Sequence, residues 1–135
     1  MKIGLLLAAI VLFIVLDLVW FQFAGNAIKN EIATIARLNA DGSWQVRLIP
    51  ALIVYTLMAL AMMIFILPHS TSLAHALALG ALFGLVSYGL YDFTNLATLT
   101  AWTWKLALMD VAWGTVLCGA VASGLYSLSR LSFFA

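Results

Sequence analysis

The chain has 135 residues, of which 66% are hydrophobic and 8% charged. A water-soluble domain carries about a quarter of its residues as charged side chains, so water is excluded as the main solvent. The net charge of +1 excludes a basic face for nucleic acid, and the one cysteine, Cys118, excludes an internal disulfide or a dithiol relay.

Four apolar stretches follow one another, at residues 3–23, 48–67, 73–93 and 106–128. Each is close to the ~20 residues that cross a ~30 Å hydrocarbon core. Backbone groups in lipid must be satisfied within the segment, so each predicts a helix. The fold class expected is an all-α membrane protein, a four-transmembrane-helix bundle forming one domain over residues 1–135. Lys2 and the first apolar run resemble a signal peptide. The run is nevertheless long enough to span, and it contains Asp17 and Trp20; a retained helix is expected.

Residues 26–47 form the only long link. Ile28, Ile32, Ile35 and Leu38 fall at helical spacing between polar residues, before Asn39, Asp41 and Gly42 break the run. This pattern predicts an amphipathic helix over 27–38, lying in the membrane interface between helices 1 and 2; an extension of the first helix is the alternative. The second link, residues 68–72, is a tight turn with serine and threonine available to cap the third helix. Gly80 and Gly84, then Gly114, Gly119, Ala120 and Gly124, are small residues that let helices approach closely. They serve packing within the bundle or a homodimer face, through Gly80/Gly84 or the Gly-rich fourth helix. Lys29, Arg37, Arg47 and Lys105 lie on the long-link side, against Lys2 and Arg130 on the side of the termini. The positive-inside tendency then favours a cytoplasmic long link, by a small margin.

Three of the five acidic residues, Asp17, Asp92 and Asp110, lie in or near helices. A carboxylate at mid-membrane costs about 2.5–3.5 kcal/mol on insertion scales. Asp17 and Asp92 lie near the ends of helices 1 and 3, and Asp110 near the start of helix 4. All three therefore approach the membrane face that bears the long link. Asp17 and Trp20, like Asp110 and Trp113, are three residues apart, which puts each pair on one helix face; a faint inverted repeat would produce this. Tyr88, Tyr91 and Asn95 neighbour Asp92. Lys105, about one turn from Asp110, is placed to neutralise an acid. The plainer alternative is that the acids only accept bonds from Trp, Tyr or Asn donors while the five tryptophans form an interfacial belt. His69 and His75 fall on the opposite face. Aspartates alone would suit only a hard cation, and neither metal nor cofactor is expected.

The run from Tyr91 to Leu99 with Trp102, the run from Asp110 to Gly114, the run from Asp17 to Trp20, and the run from Gly80 to Gly84 are together specific. The chain resembles, over nearly its whole length, the bacterial membrane-protein family catalogued as domain of unknown function 2177. That resemblance implies a multi-pass protein of the bacterial inner membrane with no assigned reaction. It also implies importance for Asp17, Trp20, Asp92, Asn95, Asp110, Trp113 and Gly114. Members are often encoded beside lipid-modifying genes, which points to membrane lipids as partners. The expected function is an acidic and aromatic intramembrane pocket for a proton, a cation or a polar lipid-like ligand, in the manner of a small transporter. The expected site is Asp17, Trp20, Tyr88, Tyr91, Asp92, Asn95, Lys105, Asp110 and Trp113. The alternatives are a lipid-modifying enzyme, for which no strong nucleophile motif is present, and an accessory or anchor protein for such enzymes.

Overall fold

A computed structural model describes residues 2–131. Each apolar stretch is a helix: α1 is Ile3–Glu31, α2 is Leu48–Ala61, α3 is Leu73–Thr98 and α4 is Trp104–Leu128. The second span continues past α2 as a π-helical turn, Met62–Ile66, and a 3₁₀ turn, Leu67–His69. All four spans are long and apolar enough to cross a membrane.

Local chemistry explains the boundaries. Pro50 sits in the first turn of α2, where its missing N–H leaves no helical bond unmade. Pro68 has the opposite effect at the far end. Its ring would clash with the carbonyl four residues back, and the ladder widens so that Leu67 N–H reaches Met62 O, five residues away. Ser72 Oγ caps α3 by accepting from His75 N–H, and Thr103 Oγ1 caps α4 by accepting from Leu106 N–H.

The separate interfacial helix expected over 27–38 does not form. Residues 27–31 continue α1, and turns follow over 32–36. The apolar stripe has a better partner than headgroups: Ala24 and Ile28 are buried with Leu106 of α4, and Trp20, Trp44 and Trp102 pack around them. The rest of the link folds back as a small antiparallel turn. Leu38 bridges to Trp44, and Gly42 adopts φ 78°, the left-handed region that glycine tolerates. Lys29 Nζ donates to Gly42 O at 3.0 Å, tying the turn to the end of α1. Glu31 Oε2 accepts from Thr103 Oγ1, and Glu31 Oε1 pairs with Lys105 Nζ, both at 2.8 Å. The cation therefore offsets an acid at the unfavourable C-terminal end of α1.

α4 is the hub. Half of its most apolar segment is buried, against 17–22% for the other spans. Its contact with α3 is the most extensive between elements, while α2 packs on α1 and α3 meets the second span through the π-helical turn. The apolar core lies in the half of the bundle nearer the termini. Leu5, Ala9 and Phe13 of α1 meet Met62, Leu117 and Val121 there. In that half Tyr126 Oη donates to Thr71 O at 3.0 Å, fastening α4 to the α2–α3 turn, while the Arg130 guanidinium donates to the same phenol.

Gly80 and Gly84 are buried against α4. A Cβ at Gly80 would stand 2.5 Å from Cys118 O, and one at Gly84 would stand 2.1 Å from Gly114 O. That face is used for packing inside the chain, between α3 and α4. Gly84→Ala is expected to force the two helices apart at a cost of about 1–3 kcal/mol. A Cβ at Gly89 meets only Phe93 at 3.9 Å, so Gly89→Ala should be neutral or slightly stabilising. Detergent-induced unfolding followed by tryptophan fluorescence separates the two.

Asp41 closes the link turn, its Oδ1 accepting from Ser43 Oγ at 2.6 Å and Ser43 N–H at 2.9 Å. These bonds, the hydroxyl first, hold its pKa below the ordinary carboxylate value. A lowered folded-state pKa contributes stability above the ordinary value and loses it as pH falls through the folded one. The Ser43 amide resonance should therefore stay constant near neutrality and move only in acid below the usual carboxylate range.

Candidate functional site

The contact between Gly84 and Gly114 sets the register of α3 on α4. One turn further toward the long link, Tyr88 lies over Gly114, where an added Cβ would meet the ring at 2.1 Å. Asp110 lies one turn from Gly114 in the same direction. Asp92 lies two turns from Gly84. Side chains on a helix lean toward its N-terminus. Asp92 thus leans back into the bundle while Asp110, on the antiparallel helix, leans toward the link, and the two carboxyls come within hydrogen-bonding reach.

Asp92 is fully buried. Its Oδ1 accepts from Trp102 Nε1 at 3.0 Å, and its Oδ2 has no partner among the described residues. Of the Trp, Tyr or Asn donors that the sequence offers, Trp102 on the α3–α4 turn makes this bond, braced edge-on by Tyr91 at 5.7 Å. Asn95 stays outside this contact. Lys105 also leaves the expected site, because Glu31 at the end of α1 is the nearer anion.

Asp17 is satisfied from two helices. Trp113 Nε1 of α4 donates to its Oδ1 at 2.8 Å, and the Tyr55 hydroxyl reaches the same carboxyl from α2. Trp20 and Trp113 stack with centroids 4.7 Å apart and planes within 3°. The buried Trp20 Nε1 has no hydrogen-bond partner among the described residues. Both Asp-x-x-Trp pairs therefore meet, with one of their two cross bonds made.

Two cavities adjoin these acids. One of about 170 Å³ is bounded by Phe13, Asp17, Ala51, Tyr55 and Tyr88. The other, of about 420 Å³, is bounded by Ser87, Tyr88, Tyr91 and Asp110. Val54, Met58 and Tyr88 line both, so Tyr88 is the partition between them. They lie where α2 stands away from α3, on the link side of the π-helical turn. Val54 is exposed, so the opening faces the surroundings of the bundle. Asp110 stands between the other two acids, facing Asp92 and within the field of Asp17. No three His, Cys, Asp or Glu side chains among the described residues are grouped to hold a metal ion.

The sequence places Asp17, Trp20, Tyr88, Tyr91, Asp92, Asp110 and Trp113 in this half of the bundle, and the structure joins them there. It does not reveal Tyr55, Val54 or Met58. Tyr55 had a signal, as the only phenol in the second span. Neither curated proteins nor solved structures yield a match to this chain. Residues 3–126 match the model of the family described as predicted membrane protein, domain of unknown function 2177, and the chain belongs to that family.

Proposed function

We propose that the cleft between α2 and α3 binds the polar head of an amphiphile entering from the bilayer, a cationic or hydrogen-bond-donating group seated between Asp17 and Asp110. The observation that carries this reading is the pair of adjoining cavities, each with an aspartate on its inner wall and Val54 and Met58 on its outer one. A cation entering there meets carboxyls for its charge and the faces of Tyr88 and Tyr91 for its periphery. The apolar remainder of the molecule stays in contact with α2 and lipid. Proton-linked exchange of such a ligand is the transport cycle this site would serve, in the inner membrane of a bacterium.

Lipid modification has less support. Ser87, the hydroxyl on the cavity wall, donates to Phe83 O of its own helix at 2.8 Å. Cys118 is buried in the apolar core. Neither is placed beside an activating base, as nucleophilic catalysis requires.

Tetraphenylphosphonium is a suitable probe. Purified protein in lipid nanodiscs should bind it saturably, and Asp110→Asn and Asp17→Asn should each weaken binding about tenfold, or 1.4 kcal/mol. Unsaturable partitioning by the wild type, or wild-type affinity in both variants, rejects the reading. Gly114→Ala tests the partition separately. Its methyl displaces Tyr88, so binding should fall by a similar factor while helical content is retained, and Gly89→Ala should bind as wild type.

A further inference from the structure

Asp92 is the one buried charged or polar side chain in the core of the described residues, and half of it is unexplained. Trp102 accounts for Oδ1, and no described residue bonds to Oδ2. A buried acceptor left unmade costs about 1–3 kcal/mol. The group within its reach is Asp110, another carboxyl. Two ionised carboxylates only accept, so they cannot bond to each other, whereas a protonated one donates. One proton converts the unpaired oxygen and its like-charged neighbour into a hydrogen-bonded pair.

We propose that Asp92 and Asp110 form a proton-binding site, holding a single proton between their carboxyl groups. The inference rests on the reading above only through Asp110, which both use, and it applies to the protein without ligand. The charged and titratable groups around the pair agree with it. From α1, Asp17 adds a further negative field on Asp110. From α2, Tyr55 is directed at Asp17. Tyr88 on α3 is a neutral phenol within the field of Asp110. Lys105, the nearest cation along α4, is engaged by Glu31. No cation among the described residues therefore neutralises the pair, and the proton takes that role. Asp110 lines the larger cavity and Asp92 does not touch it, so the proton enters and leaves by way of Asp110. Its release leaves two carboxylates and one more negative charge facing the cleft, the state in which a cation is best received.

Infrared spectroscopy of the ligand-free protein in nanodiscs tests this directly. At neutral pH the spectrum should show the C=O stretch of a protonated carboxyl, equivalent to one group per chain. Asp110→Asn should abolish it, because the amide then donates where the shared proton did, and Asp92→Asn should abolish it likewise. Asp110 is partly exposed, so its asparagine variant decides the matter even if Asp92→Asn fails to fold. A spectrum without the band in the wild type, a band that survives Asp110→Asn, or a band lost only in Asp17→Asn overturns the proposal. A band that behaves as expected while tetraphenylphosphonium fails to bind sustains the proton site and rejects the ligand reading alone.

Discussion

The backbones of α3 and α4 touch at Gly84 and Gly114, and the acidic half of the bundle follows from that contact. At 1.5 Å per residue, Tyr88 and Asp110 each lie about 6 Å from it and Asp92 about 12 Å, all toward the long link. A side chain at either glycine would separate the helices, release Tyr88 from Gly114, and draw Asp92 away from Asp110. Small residues here do more than permit tight packing. They fix which polar groups face one another in a medium that offers no solvent to substitute for a lost partner.

The two halves of the bundle are packed for different ends. Toward the termini, Phe13, Met62, Leu117 and Val121 fill the space between helices, and Tyr126 pins the short turn. Toward the long link, α2 stands off from α3 and leaves cavities beside Asp17 and Asp110. The π-helical turn imposed by Pro68 marks the division between the two halves. A filled half lends rigidity to the half that holds the cavities, and Glu31 with Thr103 and Lys105 ties α1 to α4 on the link side, away from the opening between α2 and α3.

The four spans were legible because lipid imposes length and apolarity on any helix that crosses it. The depth of Asp17, Asp92 and Asp110 was legible too, since antiparallel helices convert sequence position into depth. Partner choice was not. Lys105 is one turn from Asp110 in sequence, yet it pairs with Glu31, because the end of α1 reaches the start of α4 and one-dimensional spacing does not record that. Ile28 read as an interfacial residue for the same reason: its periodicity suits a headgroup surface and a buried seam equally, and Leu106 decided between them. Trp102 looked like belt material until the α3–α4 turn folded it back onto Asp92.

The Asp-x-x-Trp pairs show how a symmetric pattern becomes an asymmetric site. With α1 and α4 antiparallel, each aspartate would accept from the other helix's tryptophan if only these two helices mattered. Trp113 does donate to Asp17, and Tyr55 completes that carboxyl from α2. On the other side α3 intrudes, carrying Asp92, and Asp110 faces that second acid while Trp20 Nε1 has no hydrogen-bond partner among the described residues. One carboxyl is thereby surrounded by donors that suit an anion. The other meets a fellow acid in a place without a cation, where two like charges cannot be held together at low cost. Environment alone sets the two aspartates apart: Asp17 meets Trp113 and Tyr55 on one side of Tyr88, and Asp110 faces Asp92 on the other. That division is what a site needs if binding a cation on one wall is to be coupled to losing a proton from the opposite one.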